Sequence, residues 1–216
     1  MIHQVYFKPE QRGVLEPQFK PYNNAGMLTN YYENEIIARL IKEESDPDEY
    51  FGVLSWSLRG KIERMKQYPH PFKNISTESY SFNWLLSQIE KNEDVIFLME
   101  HEKHDPVVAA ARIHPNFLDN WYALLRRLKL PSPPMDIILT WEKVIYCNFF
   151  IAKHKVYKAY VDELLDPAMK IMETMPELNE DARYPMGPGY TYHSFLCERL
   201  FSYWYNFIYK KNGIKI

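Results

Sequence analysis

Tyr50-Phe-Gly-Val-Leu-Ser-Trp56, followed by Ser57-Leu-Arg-Gly-Lys61, is the stretch that decides how this chain folds. Its first seven residues form a continuous β-prone run, so 50–56 reads as a buried strand. Hydroxyls, an indole and two cations follow at once, which suits the solvent-facing end of that strand. Towards the N-terminus, Ile2–Phe7 reads as a first strand and 8–30, rich in Pro, Asn and Gly, as a long loop. Tyr31–Lys42 places Tyr32, Ile36, Ile37, Leu40 and Ile41 at helical spacing. Towards the C-terminus, 60–67 reads as a short helix, Tyr68-Pro-His-Pro-Phe72 as a turn, and Ser79–Lys91 as an amphipathic helix. Asp94–Met99 is then a third strand and 115–129 a helix with Pro115 near its first turn. Lys143–Ala152 is a fourth strand, and Val156–Met172 a helix with a proline, Pro167, at a kink position. A loop over 176–190 leads into an aromatic helix, Thr191–Tyr209.

Strands alternating with helices argue for one α/β domain over 1–216, built on a mostly parallel sheet flanked by helices, with the aromatic helix last. Ligands of such sheets bind outside the carboxyl ends of the strands. That rule points at Ser55–Lys61, Glu100–Asp105 and the surroundings of Asn148.

Composition narrows the function. A formal net charge of −2 argues against a generally basic nucleic-acid surface. Only 7 glycines are present, and neither GxGxxG nor a Walker loop occurs, which disfavours a dinucleotide or P-loop site. The 17 Tyr, 12 Phe and 5 Trp offer flat faces with polar edges, suited to sugar and nucleotide rings or simply to filling a core. Cys147 and Cys197, outside any CxxC pair, suit reduced thiols of a cytoplasmic protein. No run approaches the ~20 apolar residues of a membrane span, and the N-terminus lacks the pattern of a signal peptide. Neither a nucleophile elbow nor HExxH occurs, so hydrolase chemistry has no support.

Three constellations could carry chemistry. In the first, Ser55, Trp56, Arg59 and Lys61 close a buried strand, and the two cations could hold a diphosphate, Arg59 as a fork and Lys61 as a point charge. The second is Glu100-His-Glu102, after the third strand, with the i, i+2 spacing of a carboxylate pair for a divalent ion; His101, His104 and Asp105 could serve a transition metal instead. Third, Asn148 is a polar residue in an apolar strand, and Glu198 and Arg199 are charges in an apolar helix. Such groups are either a structural pair or part of a site.

Cys147-Asn-Phe-Phe-Ile-Ala-Lys153 and Phe195-Leu-Cys-Glu-Arg-Leu-Phe-Ser-Tyr-Trp204 resemble segments of a group of bacterial and viral polysaccharide-biosynthesis glycosyltransferases. Asn30-Tyr-Tyr-Glu-Asn-Glu35 and Asp48-Glu-Tyr-Phe-Gly-Val-Leu-Ser-Trp56 are similar to its front half. The resemblance implies a GT-A-like fold, a nucleotide-sugar donor and a saccharide or glycan acceptor. It carries over Asn148, Glu198 and Arg199 as site residues, with Glu33 and Glu35 behind them. Glu198 is then the first candidate base and Glu102 the second. A plain Asp-x-Asp is missing, so a manganese or magnesium ion would rest on Glu100 and Glu102. The other reading is a non-catalytic carbohydrate-binding or assembly module on the same fold.

Overall fold

The computed structural model describes residues 1–26, 29–43, 46, 49–66, 81–99, 105–132, 141, 143–183 and 189–210. Five strands form one open sheet: β1 (Ile2–Tyr6), β2 (Lys20–Asn23), β3 (Tyr50–Ser55), β4 (Val95–Phe97) and β5 (Phe150–Lys153). Their order is β2-β1-β3-β5-β4. β1 pairs parallel with β2 and β3, whereas β5 runs antiparallel to β3 and to β4. Four strands therefore point one way and β5 is reversed, so two of the four pairings are antiparallel and the sheet is mixed where a mostly parallel one was expected. The expected strand over 50–56 is present almost residue for residue, and its Phe51 and Val53 face one layer of helices while Leu54 faces the other, as the pleat requires. At Gly52 a Cβ would lie 3.0 Å from Ile151 Cγ1, so a larger residue would press on that side chain.

Two expectations need correcting. The loop over 8–30 contains a 3-10 turn, Pro9–Val14, and the edge strand β2. Pro21 hid that strand, since proline is tolerated only where a ladder donor can be spared, at an edge. The strand expected over 143–152 is a strand only from Phe150. Ahead of it, backbone groups pair with side chains of the last helix: Ile145 N–H donates to Ser202 Oγ at 2.9 Å, and Asn206 Nδ2 donates to Lys143 O at 2.7 Å. Apolar periodicity sees burial but not which partner satisfies the backbone. Asn148 consequently lies in a turn before the strand and not inside it.

On one face of the sheet pack α1 (Glu33–Glu43), α5 (Phe117–Arg127), α6 (His154–Tyr160), α7 (Asp166–Met172) and α8 (Tyr192–Trp204). The Phe201 ring stacks on Phe150 at 3.6 Å between centroids, and Phe150 in turn on Tyr157 at 4.6 Å. Burying each such ring stabilises the fold by about 1.5–3 kcal/mol. Between α6 and α7 the helix widens over Val161–Leu165, and Asp166 N–H donates five residues back to Val161 O. Pro167 accounts for this, because it has no N–H to continue the ordinary ladder. The other face carries α2 (Leu58–Lys66) and α3 (Phe82–Ile89), packed through Leu58, Ile62 and Leu85. A short helix, α4 (Pro106–Ala111), follows the β4 edge. Among the described residues no helix is long and apolar enough to cross a membrane.

Candidate functional site

β3 ends at Ser55, and β5, running the other way, begins just after Asn148, so both termini lie on one edge of the sheet. Leu98, past the end of β4, joins the same edge by donating to Phe149 O at 3.0 Å. β2 and β3 flank β1 on opposite sides, which makes the carboxyl end of β1 the switch point where open α/β sheets take ligands. Gln4 of β1 braces it: Nε2 donates to Ser55 O at 3.1 Å, and Oε1 accepts from Glu16 N–H at 2.7 Å.

Arg59 lies on the β1 side of this edge. Its Nε and Nη2 donate to the two carboxylate oxygens of Glu16 at 2.8 and 2.7 Å. Glu16 is 4% exposed and Arg59 53% exposed, so a sunken carboxylate orients a guanidinium that reaches solvent. Ser55 Oγ and Ser57 Oγ are 3.1 Å apart beneath it, and the half-buried Trp56 gives its carbonyl to Gln4 Nε2 at 3.5 Å.

Two residues further along α2, and so about 200° around the helix, Lys61 faces the other way. Its Nζ stands 5.4 Å from the centre of the Phe149 ring. Burial works to lower its pKa, but Cys147, Glu33 and Glu198 outweigh that and hold the ammonium above its ordinary value. Burial pushes the Cys147 thiol up, so at neutral pH the countercharges are the two carboxylates. Glu198 Oε2 accepts from Arg199 Nη1 at 2.7 Å. Arg199 also donates to Phe195 O at 2.9 Å, and its guanidinium lies 5.4 Å from the Tyr146 ring centre. Burial foremost raises the Tyr146 hydroxyl, with Arg199 opposing and Asp105, Glu198 and Cys147 adding. Asp105 Oδ1 meanwhile caps α4, accepting from Val107 and Val108 N–H at 2.8 and 3.0 Å.

The hinge of this cluster is the turn Tyr146–Asn148. Cys147 and Asn148 have φ of +58° and +54°, and Tyr32, next to Glu33, has +49°. Left-handed backbone at residues other than glycine costs of order 1–3 kcal/mol and collects at functional sites. Asn148 Nδ2 donates to Asn34 Oδ1 at 3.2 Å, and Asn34 Nδ2 to Tyr31 O at 3.1 Å, which ties the turn to the first turn of α1.

Of the residues that the sequence singles out, Asn148 lies in this turn, Arg199 packs on Tyr146 and Lys61 on Phe149 beside it, Glu198 is bonded to Arg199, and Glu33 and Glu198 act on Lys61 through their charge. Ser55, Trp56 and Arg59 sit at the end of β3 on the side of Glu16. Glu35 does not join them: it lines a shallow depression on the outer face of α1 with Arg39 and Lys42. Glu100 and Glu102, with His101 and His104, lie outside the described residues. Among the described residues no three His, Cys, Asp or Glu side chains gather as metal ligands. Sequence reasoning missed Glu16, Asn34 and Tyr146. Nothing in the sequence marks Glu16, whereas the polar break Tyr146-Cys-Asn148, inside the run expected as a strand, is the signal that could have shown the turn. No family model matches this chain, and neither a curated protein nor a solved structure matches it.

Proposed function

We propose that this protein is a glycosyltransferase on a GT-A-like sheet, moving a sugar from a nucleotide-sugar donor to a saccharide or glycan acceptor. One observation carries the reading: Lys61, over the Phe149 ring, feels the charges of the Glu33 and Glu198 carboxylates at the end of a mixed sheet where β1 and β3 finish, beside its switch point. Carboxylate beside cation is what displacement at an anomeric carbon requires. Glu198 takes the proton of the acceptor hydroxyl, the freed oxygen bonds to the anomeric carbon, and the bond to the diphosphate oxygen breaks. The electron pair leaves on the diphosphate, where Lys61 offsets its charge, while Arg59, about 200° away around α2, takes the part of the donor that extends to the Glu16 side. Glu16 holds the plane of Arg59 for that contact. Arg199 positions Glu198 through their hydrogen bond. A manganese or magnesium ion, if used, would draw on Glu100 and Glu102 and supply further charge to the diphosphate.

The test is a panel of nucleotide sugars, read by thermal shift and by donor hydrolysis. A donor at about a hundred times its Kd stabilises the fold by ~2.7 kcal/mol, a shift of several degrees. Absence of both shift and hydrolysis with every donor discards the transferase reading. Glycan binding without nucleotide binding would favour the non-catalytic module.

A further inference from the structure

The starts of α1 and α8 bring two tyrosines together. The rings of Tyr32 and Tyr190 lie 6.0 Å apart between centroids and 19° from parallel. Both residues are half-buried. Tyr32 directly precedes Glu33. Tyr190 precedes α8, in which Glu198 lies about 10 Å further along the axis at ~1.5 Å per residue. The pair thus stands beside Glu33, at the start of the helix that carries Glu198.

The backbone gives a second reason to look here. Tyr32 adopts φ +49°, a conformation that glycine or asparagine takes with less strain than a bulky ring. Its neighbour Tyr31 already performs the anchoring at this turn, donating its hydroxyl to Met169 O at 3.0 Å and packing edge-on to His193 at 5.2 Å. A second tyrosine in a strained position adds little to the fold that asparagine would not provide.

We propose that Tyr32 and Tyr190 form the acceptor subsite, where a pyranose ring of a neutral saccharide stacks its C–H face on the tyrosine pair. The word acceptor rests on the transferase reading; the stacking site does not. Charge decides between a sugar and the donor's base. Tyr32 is followed directly by the carboxylate of Glu33, whereas the cations suited to a diphosphate, Arg59 and Lys61, are on α2. The carboxylate also suits sugar hydroxyls, which donate to it.

The experiment is calorimetric titration of the full chain with neutral oligosaccharides (β-1,4- and α-1,4-glucans, chitooligosaccharides, mannans) and with UDP and GDP. Wild type is compared with Tyr32→Asn, Tyr190→Ala and Tyr190→Phe. One oligosaccharide series should bind, with affinity lowered about tenfold or more by Tyr32→Asn and by Tyr190→Ala. Tyr190→Phe should stay within about threefold, and nucleotide affinity within about twofold throughout. Tyr32→Asn should melt at or above the wild-type temperature, which separates lost stacking from lost structure. Wild-type affinity in both tyrosine variants, no binding by any oligosaccharide, or a fall confined to the nucleotides would each overturn the subsite. Tyrosine-dependent glycan binding without any response to nucleotide sugars would uphold the site and sink the transferase reading alone.

Discussion

The two helical layers that cover the sheet are unequal. The layer built from α1 and α5–α8 buries Trp121, Trp204, Tyr157, Tyr160, Phe150 and Phe201 to 1% exposure or less. Among the described residues, the layer of α2 and α3 packs on a smaller cluster that includes Phe19, Leu54, Leu58, Leu85 and Phe149, and it leaves Phe82 and Leu86 at 52% and 39% exposure. The candidate carboxylates, Glu33 and Glu198, belong to the thick layer, and the candidate cations, Arg59 and Lys61, to the thin one. Groups that must hold a reacting hydroxyl gain from rigid support. On the proposed reading, the groups that would grip and release a diphosphate sit on the layer with the smaller cluster among the described residues. The site is the line where the two layers meet, over the strained turn at Cys147 and Asn148.

The largest effect should come from the centre of the thick layer. Phe201→Ala removes a ring stacked on Phe150 and packed edge-on to Tyr160 at 5.1 Å, and should lower the unfolding free energy by about 3–5 kcal/mol in urea titrations. Leu86→Ala, in the thin layer, should change it by no more than about 0.5 kcal/mol. Equal losses at both positions would erase the contrast between the layers.

Next in size is the division of labour at the site. Glu198→Gln should reduce kcat by about 10²–10³-fold and leave donor affinity nearly unchanged. Lys61→Met and Arg59→Ala should do the opposite, weakening nucleotide-sugar binding about tenfold each. Unchanged affinity in Arg59→Ala would remove that residue from the donor site and leave it as the partner of Glu16 alone. A fall in kcat with Lys61→Met as large as that of Glu198→Gln would dissolve the distinction between the two sides.

Much of this plan was legible in the sequence, and the limits have physical causes. The buried strand at 50–56, the helix ahead of it and the aromatic helix at the end follow from periodicity, which reports burial. Glu198 and Arg199 stood out because charges in an apolar helix need partners. The reversal of β5 was not legible, because a short apolar run has no direction. Glu16 was hidden in a loop rich in polar residues, and only the fold brings it against Arg59. Asn34 was overlooked between two glutamates, although an amide can both accept from Asn148 and donate to Tyr31 O, as a carboxylate cannot.

The smallest predicted effect separates the layers by pH. His114 and His193 both lie in the thick layer, 2% and 3% exposed. Burial foremost lowers both from the ordinary value of 6.5; at His114 the carbonyl of Ala182 and Glu198 resist the shift and Arg199 assists it. The described residues of α2 and α3 contain no histidine. In the unfolded chain these imidazoles take up protons near pH 6.5, whereas in the folded chain they do so only at lower pH. The unfolded state therefore binds more protons in that window, and stability falls as pH drops through 6.5 towards the folded-state values. The urea midpoint should be lower at pH 5.5 than at pH 7.5, and the His114→Gln/His193→Gln double variant should flatten that difference. An unaltered pH slope in the double variant would place the titrating groups elsewhere and remove the buried imidazoles as a distinguishing mark of the thick layer.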